Sequence, residues 1–112
     1  MTTQPLEEPR VERRDYPRKK LQVSMEIEWG AAVLTGSVRD IGVSGLFVEL
    51  TPPLWIGAAF RARLIVNPVL VLDCTVVRVE PNAGMAVRYQ VVEDDGNAKT
   101  QLEKLLVSLA PA

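Results

Sequence analysis

The fold is decided first by residues 21–29, LQVSMEIEW, in which apolar and polar side chains alternate without exception. The apolar set comprises Leu21, Val23, Met25, Ile27 and Trp29. A period of two places these side chains on one face of an extended chain, as a half-buried strand requires. Residues 21–29 therefore predict a β-strand, and Gly30 directly after them permits a turn.

Regular alternation returns at residues 59–66 and from Met85 onward, and the chain predicts five more strands in all. They are placed at residues 33–39, 46–50, 59–66, 69–80 and from Met85 onward. The phase of the fifth strand slips near Val76 and Val77, which indicates a bulge or a bend. Six short strands with tight turns predict a mainly β fold, a small six-stranded antiparallel barrel.

A helical pattern follows the acidic loop at residues 93–95. Leucines then recur with helical spacing, at Leu102, Leu105, Leu106 and Leu109. This spacing predicts one short amphipathic helix, with Asn97 as its N-cap. We expect the helix to cover an open end or an edge of the barrel.

Composition bounds the function. The chain has 112 residues, 47% of them apolar, which suits one domain with one modest core. It contains no histidine and one cysteine, Cys74, so it lacks the usual general base and cannot form an internal disulfide. We therefore expect no enzymatic activity, no metal and no cofactor, with Cys74 as a small buried apolar residue. No apolar run is long enough for a membrane span and no signal peptide is evident, which predicts a cytoplasmic protein.

Charge is unevenly distributed along the chain. Residues 10–20 hold six basic and two acidic residues, a local charge of 6 − 2 = +4, whereas the remainder has 7 − 12 = −5. One compact basic segment on an acidic body suits a small anionic ligand better than a nucleic acid. A solvated basic arm without a ligand is the alternative. Residues 1–12 are predicted to be a flexible N-terminal segment.

Two short segments carry groups suited to such a ligand. Residues 13–18, RRDYPR, hold three arginines. A guanidinium group can bind phosphate oxygens with two donors or stack on a base. Residues 40–45, DIGVSG, occupy the predicted turn between the second and third strands, where the Asp40 carboxylate can accept the N1–H and N2–H edge of guanine. Taken singly, each segment is also typical of an ordinary charged surface or hairpin turn.

Taken together, in this order and spacing, R-x-x-x-R followed by D-x-G-x-x-G resembles the motif pair of PilZ domains, which are bacterial receptors for cyclic di-GMP. The resemblance extends from about Glu12 to Leu109, and Gly84 stands where the family has a glycine at the start of its last strand. It implies a PilZ-like domain over residues 13–109, with a six-stranded barrel and one C-terminal helix.

The resemblance also implies roles for individual residues. Arg14 and Arg18 match the R-x-x-x-R positions, which clamp phosphates and stack on a guanine, and Arg13 is expected to assist them. Ligand-binding positions are further implied at Asp40, Gly42 and Gly45. Gly42 departs from the family pattern, which has Ser or Ala at that position.

The function implied is that of a stand-alone cyclic di-GMP receptor. Binding would order the basic arm and relay a signal to an unidentified downstream protein, with the chain acting as a monomer or a homodimer. The alternative is a PilZ-like adaptor that has lost nucleotide binding and serves motility or pilus assembly. The retained arginines favour the receptor, and Gly42 favours the adaptor. Aromatic residues make up only 5% of the chain, which argues against nucleic-acid binding.

Overall fold

The computed structural model describes residues 18–93 and 96–112. Seven strands and one helix lie in these ranges. They are β1 (Lys19–Lys20), β2 (Ser24–Trp29), β3 (Ala32–Ile41), β4 (Gly45–Glu49), β5 (Ala59–Leu64), β6 (Leu70–Glu80), β7 (Gly84–Val91) and α1 (Ala98–Ser108). The predicted flexible segment at residues 1–12 lies outside the described residues.

Six of the strands form a closed antiparallel barrel. Their order is β3-β2-β5-β6-β7-β4, and pairing between β3 and β4 closes the ring. Closure leaves no unpaired edge among these six strands. The short strand β1 pairs with β3 at the top of the hairpin that β3 forms with β4. The predicted fold class, a six-stranded barrel with one C-terminal helix, is confirmed.

The barrel interior is filled by the inward face of each strand. The alternation in β2 places Met25 and Ile27 at 0% exposure, while the polar residues between them face outward. β6 contributes Leu72, Cys74 and Val76 to the same core. The Cys74 thiol is buried as predicted, and this burial, with Asp73 nearby, raises its pKa to about 12.

Two register shifts interrupt the regular pairing. The predicted slip in β6 is confirmed, because its pairing with β7 shifts between Val76 and Arg78. A second shift lies in β3, between Val38 and Asp40, where β3 pairs with β4. Val38 and Ile41 are both buried although three positions separate them, so Arg39 is the extra residue of a β-bulge.

The first barrel strand begins at Ser24, three residues later than the sequence predicts. The reason for the late start is a mismatch in strand pairing. Lys20 pairs with Asp40, whereas Ser24 pairs with Ser37. Four steps along the first segment, 24 − 20, face three steps along β3, 40 − 37. One residue is therefore left over, and the ladder breaks into β1 and β2.

Helix α1 packs through a narrow apolar stripe. Leu102 is buried, and Leu105, Leu106 and Leu109 are half-buried against the barrel core. Asn97 occupies the predicted N-cap position, but its side chain makes no capping hydrogen bond. The Lys99 N–H instead donates to Glu93 Oε2 at 3.1 Å, so a residue before the helix supplies the capping acceptor.

The segment after α1 returns to the start of the barrel. Lys20 N–H donates to Ala110 O at 2.9 Å, and Ala112 N–H donates to Arg18 O at 2.9 Å. Lys19 and Pro111 form an antiparallel bridge between these two bonds. β1 is thereby hydrogen-bonded along both edges, to β3 on one edge and to residues 110–112 on the other.

Candidate functional site

Arg18 and Asp40, predicted from two separate motifs, form an ion pair. Arg18 Nε and Nη2 donate to Asp40 Oδ1 at 2.9 and 2.7 Å. The two residues are 22 positions apart in sequence, and the β1–β3 pairing brings them together. Arg18 remains 44% exposed and Asp40 only 17% exposed, so the guanidinium covers the carboxylate while its other side faces solvent.

The bulge in β3 adds a second arginine to this pair. Arg39 Nε donates to Asp40 Oδ2 at 3.3 Å, and its guanidinium carbon lies 3.9 Å from the centre of the Phe47 ring. A regular strand would send adjacent side chains to opposite faces, and the bulge removes that constraint. Asp40 is therefore held on both oxygens, by Arg18 and by Arg39.

Phe47 is buried outside the barrel core. It is 1% exposed, yet it is absent from the core cluster that fills the barrel. It pairs with Asp40 on one side and with Ala86 on the other, so these three residues form one row across the outer face of the sheet. Arg39 lies over the ring as a planar cation backed by an aromatic surface.

The turn at residues 42–45 is fixed by backbone hydrogen bonds. Gly42 N–H donates to Gly45 O at 2.7 Å, and Tyr89 N–H donates to Ser44 O at 3.0 Å. The buried Tyr89 hydroxyl donates to Gly42 O. Burial raises the pKa of Tyr89 well above its ordinary value, so the phenol stays protonated and remains a donor.

Gly45 leaves space beneath Arg18. A Cβ at this position would lie 3.6 Å from Arg18 Nη1 and 3.2 Å from Val87 O. Any larger side chain would push against the guanidinium that pairs with Asp40. The absence of a side chain at Gly45 therefore lets Arg18 lie close to the turn.

These residues border one cleft of about 560 Å³, called here the arginine cleft. It is lined by Arg18, Arg39, Asp40, Phe47, Arg78 and Ala86, together with the tail residues Pro111 and Ala112. Arg78 pairs with Glu80 at 3.1 Å, so three guanidinium groups face two carboxylates. A cleft with planar cations and a carboxylate can hold a ligand that has both anionic groups and a hydrogen-bonding aromatic edge.

The structure brings together part of the predicted site. Arg18, Asp40 and Gly45 meet in one place, and Gly42 lies buried behind them and contributes only backbone groups. Arg13 and Arg14 lie outside the described residues. The sequence interpretation missed Arg39 and Arg78. Arg39 adjoins the D-x-G-x-x-G motif and could have been suspected on that ground, whereas Arg78 depends on the β6–β7 register.

No helix in residues 18–93 and 96–112 is long and apolar enough to cross a membrane. The same ranges contain no cluster of three or more residues of metal-ligating type.

The chain is thus a small closed barrel with an arginine-lined cleft on its outer face. A family model described as PilZ domain matches residues 12–108, and the chain belongs to the PilZ family, a cyclic di-GMP-binding family.

Among solved structures, the chain is similar to the Bacillus subtilis Inhibitor of motility, MotI/DgrA, with a TM-score of 0.60 and 18% sequence identity. The match covers 85% of this chain and 52% of that one, so this chain spans about half the length of MotI/DgrA. At this identity the likeness shows the shared fold. No curated protein matches the sequence.

Proposed function

We propose that this chain is a receptor for cyclic di-GMP, which binds in the arginine cleft and alters the contacts of the chain with a partner protein. The observation that carries the proposal is the Arg18–Asp40 pair, in which the two family motifs meet although the two residues are 22 positions apart in sequence. Family membership supports the ligand class. Cyclic di-GMP supplies two phosphodiester groups and two guanine edges, which match the cations and the carboxylate of the cleft.

Binding exchanges one set of hydrogen bonds for another. In the structure, Asp40 Oδ1 accepts two bonds from Arg18, and Oδ2 accepts one longer bond from Arg39. The N1–H and N2–H groups of a guanine would take the place of Arg18 on Asp40. Arg18 would then turn to a phosphodiester or stack on a base, and Arg14 would join it from the preceding segment. The bond that Arg39 makes with Oδ2 would keep the carboxylate oriented during the exchange.

The signal would pass through the segment that contains Arg18. This segment is hydrogen-bonded to β3 and to residues 110–112, so a movement of Arg18 would shift the residues that follow α1. A cytoplasmic location, where a nucleotide second messenger is available, belongs to the same proposal. The downstream partner would recognise the rearranged arm.

Calorimetric titration with cyclic di-GMP tests the proposal. We expect Arg18→Ala to weaken binding by about 1.5–3 kcal/mol, or roughly tenfold to a hundredfold, since the ligand loses a hydrogen bond from a charged donor. Arg63→Ala is the matched control, because Arg63 is also an exposed arginine but lies on β5 and does not line the cleft. Equal losses for both variants would indicate general charge attraction and contradict a specific site.

The choice of base gives a second readout. Adenine lacks the N1–H and N2–H pair that Asp40 would accept, so cyclic di-AMP should bind far more weakly than cyclic di-GMP. Asp40→Asn should reduce this preference, because an amide offers one acceptor and one donor where the carboxylate offers two acceptors.

A protein adaptor without nucleotide binding is the second candidate function. Gly42 is the observation that favours it, since the family pattern has Ser or Ala at that position. An adaptor would give no heat of binding with cyclic di-GMP in the wild type or in Gly42→Ser.

A further inference from the structure

Arg88 differs from the other arginines of the described residues. Five arginines in residues 18–93 donate to a carboxylate: Arg18, Arg39, Arg61, Arg63 and Arg78. Arg88 makes no ion pair within residues 18–93 and 96–112, and it is exposed. A cation that forms no ion pair has its full charge available to an incoming anion.

The position of Arg88 places it beside the arginine cleft. Arg88 lies on β7 directly opposite Gly45 on β4. Cross-strand neighbours project to the same face and have Cβ positions about 5 Å apart. Arg18 Nη1 lies 3.6 Å from the Cβ position of Gly45, so Arg18 and Arg88 stand on the same face with the side-chain-free Gly45 between them.

Arg88 also lines a second groove that contains several polar residues. This groove of about 650 Å³ is lined by Ser44, Thr75, Arg88 and Gln90, among others, and Thr75 lies directly opposite Arg88 on β6. The Ser44 and Thr75 hydroxyls can each donate a hydrogen bond. Asp73, the carboxylate that also lines this groove, accepts a hydrogen bond from Arg61 at 2.9 Å, which offsets its negative charge.

We propose that Arg88, assisted by the hydroxyls of Ser44 and Thr75, binds one phosphodiester of the same cyclic dinucleotide whose other phosphodiester is bound by Arg18. The inference rests on the proposed function and adds a residue that neither family motif contains. A cyclic dinucleotide carries its two phosphodiesters on opposite sides of one ring. Two arginines on opposite sides of a glycine can take one each, and Gly45 gives the ring room to lie against the backbone.

The experiment is a calorimetric titration of the full chain with cyclic di-GMP, comparing wild type with Arg88→Gln. We expect Arg88→Gln to bind about tenfold or more weakly at unchanged stoichiometry, with a shallower dependence of affinity on salt concentration. Arg63→Gln is the control. It removes the same charge from an exposed arginine on β5, away from Gly45 and paired with Glu26, and should bind like the wild type. Thermal melting of each variant shows that the fold is retained.

The possible outcomes separate this inference from the proposed function. If the wild type binds and Arg18→Ala binds more weakly, but Arg88→Gln binds like the wild type, the receptor stands and the role of Arg88 is refuted. Equal losses in Arg88→Gln and Arg63→Gln would reduce the effect to net charge and also refute it. A change in the number of bound ligands, with unchanged affinity, would assign the groove to a separate ligand and overturn the single-ligand arrangement. A wild type that does not bind would remove both proposals.

Discussion

Gly42 is buried, and both of its backbone polar groups are hydrogen-bonded, to Gly45 O and to the Tyr89 hydroxyl. Among the described residues, positive φ angles occur at four glycines, and Gly42 is not one of them. A side chain at this position therefore meets no left-handed backbone strain. We expect Gly42→Ser to retain the fold and to bind cyclic di-GMP at least as tightly as the wild type. The gain in affinity should be about threefold to tenfold, through one added hydrogen bond and a stiffer turn. Melting and calorimetric titration of the same variant test this, and weaker binding with a lower Tm would contradict it.

Gly84 is the contrasting glycine and serves as the control. A Cβ there would lie 2.2 Å from Val48 O and 2.8 Å from Glu49 Cα, both backbone atoms of the neighbouring strand. Gly84→Ala must therefore push β4 away from β7, and we expect it to lower the free energy of unfolding by about 2 kcal/mol or more. Chemical denaturation measures the loss, and a stability equal to that of Gly42→Ser would contradict it.

The sequence predicted those site residues whose chemistry and spacing form a motif. Arg18, Asp40 and Gly45 belong to short patterns that can be recognised on the chain itself. Arg39 and Phe47 form their contact because of a bulge, and a bulge is set by a mismatch between two strands that neither strand shows alone. Arg88 has a special position only once β7 is aligned with β4. Contacts that depend on cross-strand register could therefore not be predicted from the sequence.

At the scale of elements, alternation predicted β2, β5 and β7 most clearly, whereas β1 could not be predicted. Lys19 and Lys20 carry no apolar pattern, and their extended conformation comes from hydrogen bonds with β3 and with residues 110–112. A two-residue strand of lysines exists because its neighbours pair with it. Tertiary context decides such a segment, and a local pattern does not.

Helix α1 gives a prediction about capping. Glu93 Oε2 accepts the Lys99 N–H at 3.1 Å, while the Asn97 side chain makes no capping bond. We expect Glu93→Ala to lower the free energy of unfolding by about 0.5–1 kcal/mol, since it removes an acceptor and a negative charge from the helix N-terminus. Asn97→Ala should cost less, because only the backbone of Asn97 takes part. Denaturation curves of the two variants decide the matter, and a larger loss in Asn97→Ala would contradict this assignment.

At the scale of the whole molecule, barrel closure separates stability from the site. The core is apolar and has no buried charged or polar residue among those described, while the arginine cleft lies on the outer face over Phe47 and Ala86. A barrel was predictable from six short strands with tight turns, but the order β3-β2-β5-β6-β7-β4 was not, because a strand pattern specifies faces and leaves partners open. Substitutions in the cleft should consequently change binding with little effect on folding.

The stability of the whole barrel should fall in alkaline solution, and Cys74 should account for part of the fall. Burial raises its pKa from an ordinary 9.0 to about 12 in the folded state. Above pH 9 the unfolded chain therefore loses the thiol proton while the folded chain keeps it, so the stabilisation is complete below pH 9 and is lost as the pH rises toward 12. The pKa of buried Tyr89 is raised as well and acts in the same direction.

Cys74→Ala isolates the contribution of the thiol. At neutral pH the variant is destabilised by the lost side-chain volume, but its decline above pH 9 should be shallower than that of the wild type. One thiol accounts for up to about 1.4 kcal/mol per pH unit, so the gap between the two stability curves should close by about 2 kcal/mol between pH 8 and pH 10.5. Urea denaturation at a series of pH values measures both curves, with Tyr89 present in each protein. Parallel curves over this range would show that the thiol keeps an ordinary pKa in the folded barrel, and that the core around Cys74 admits water.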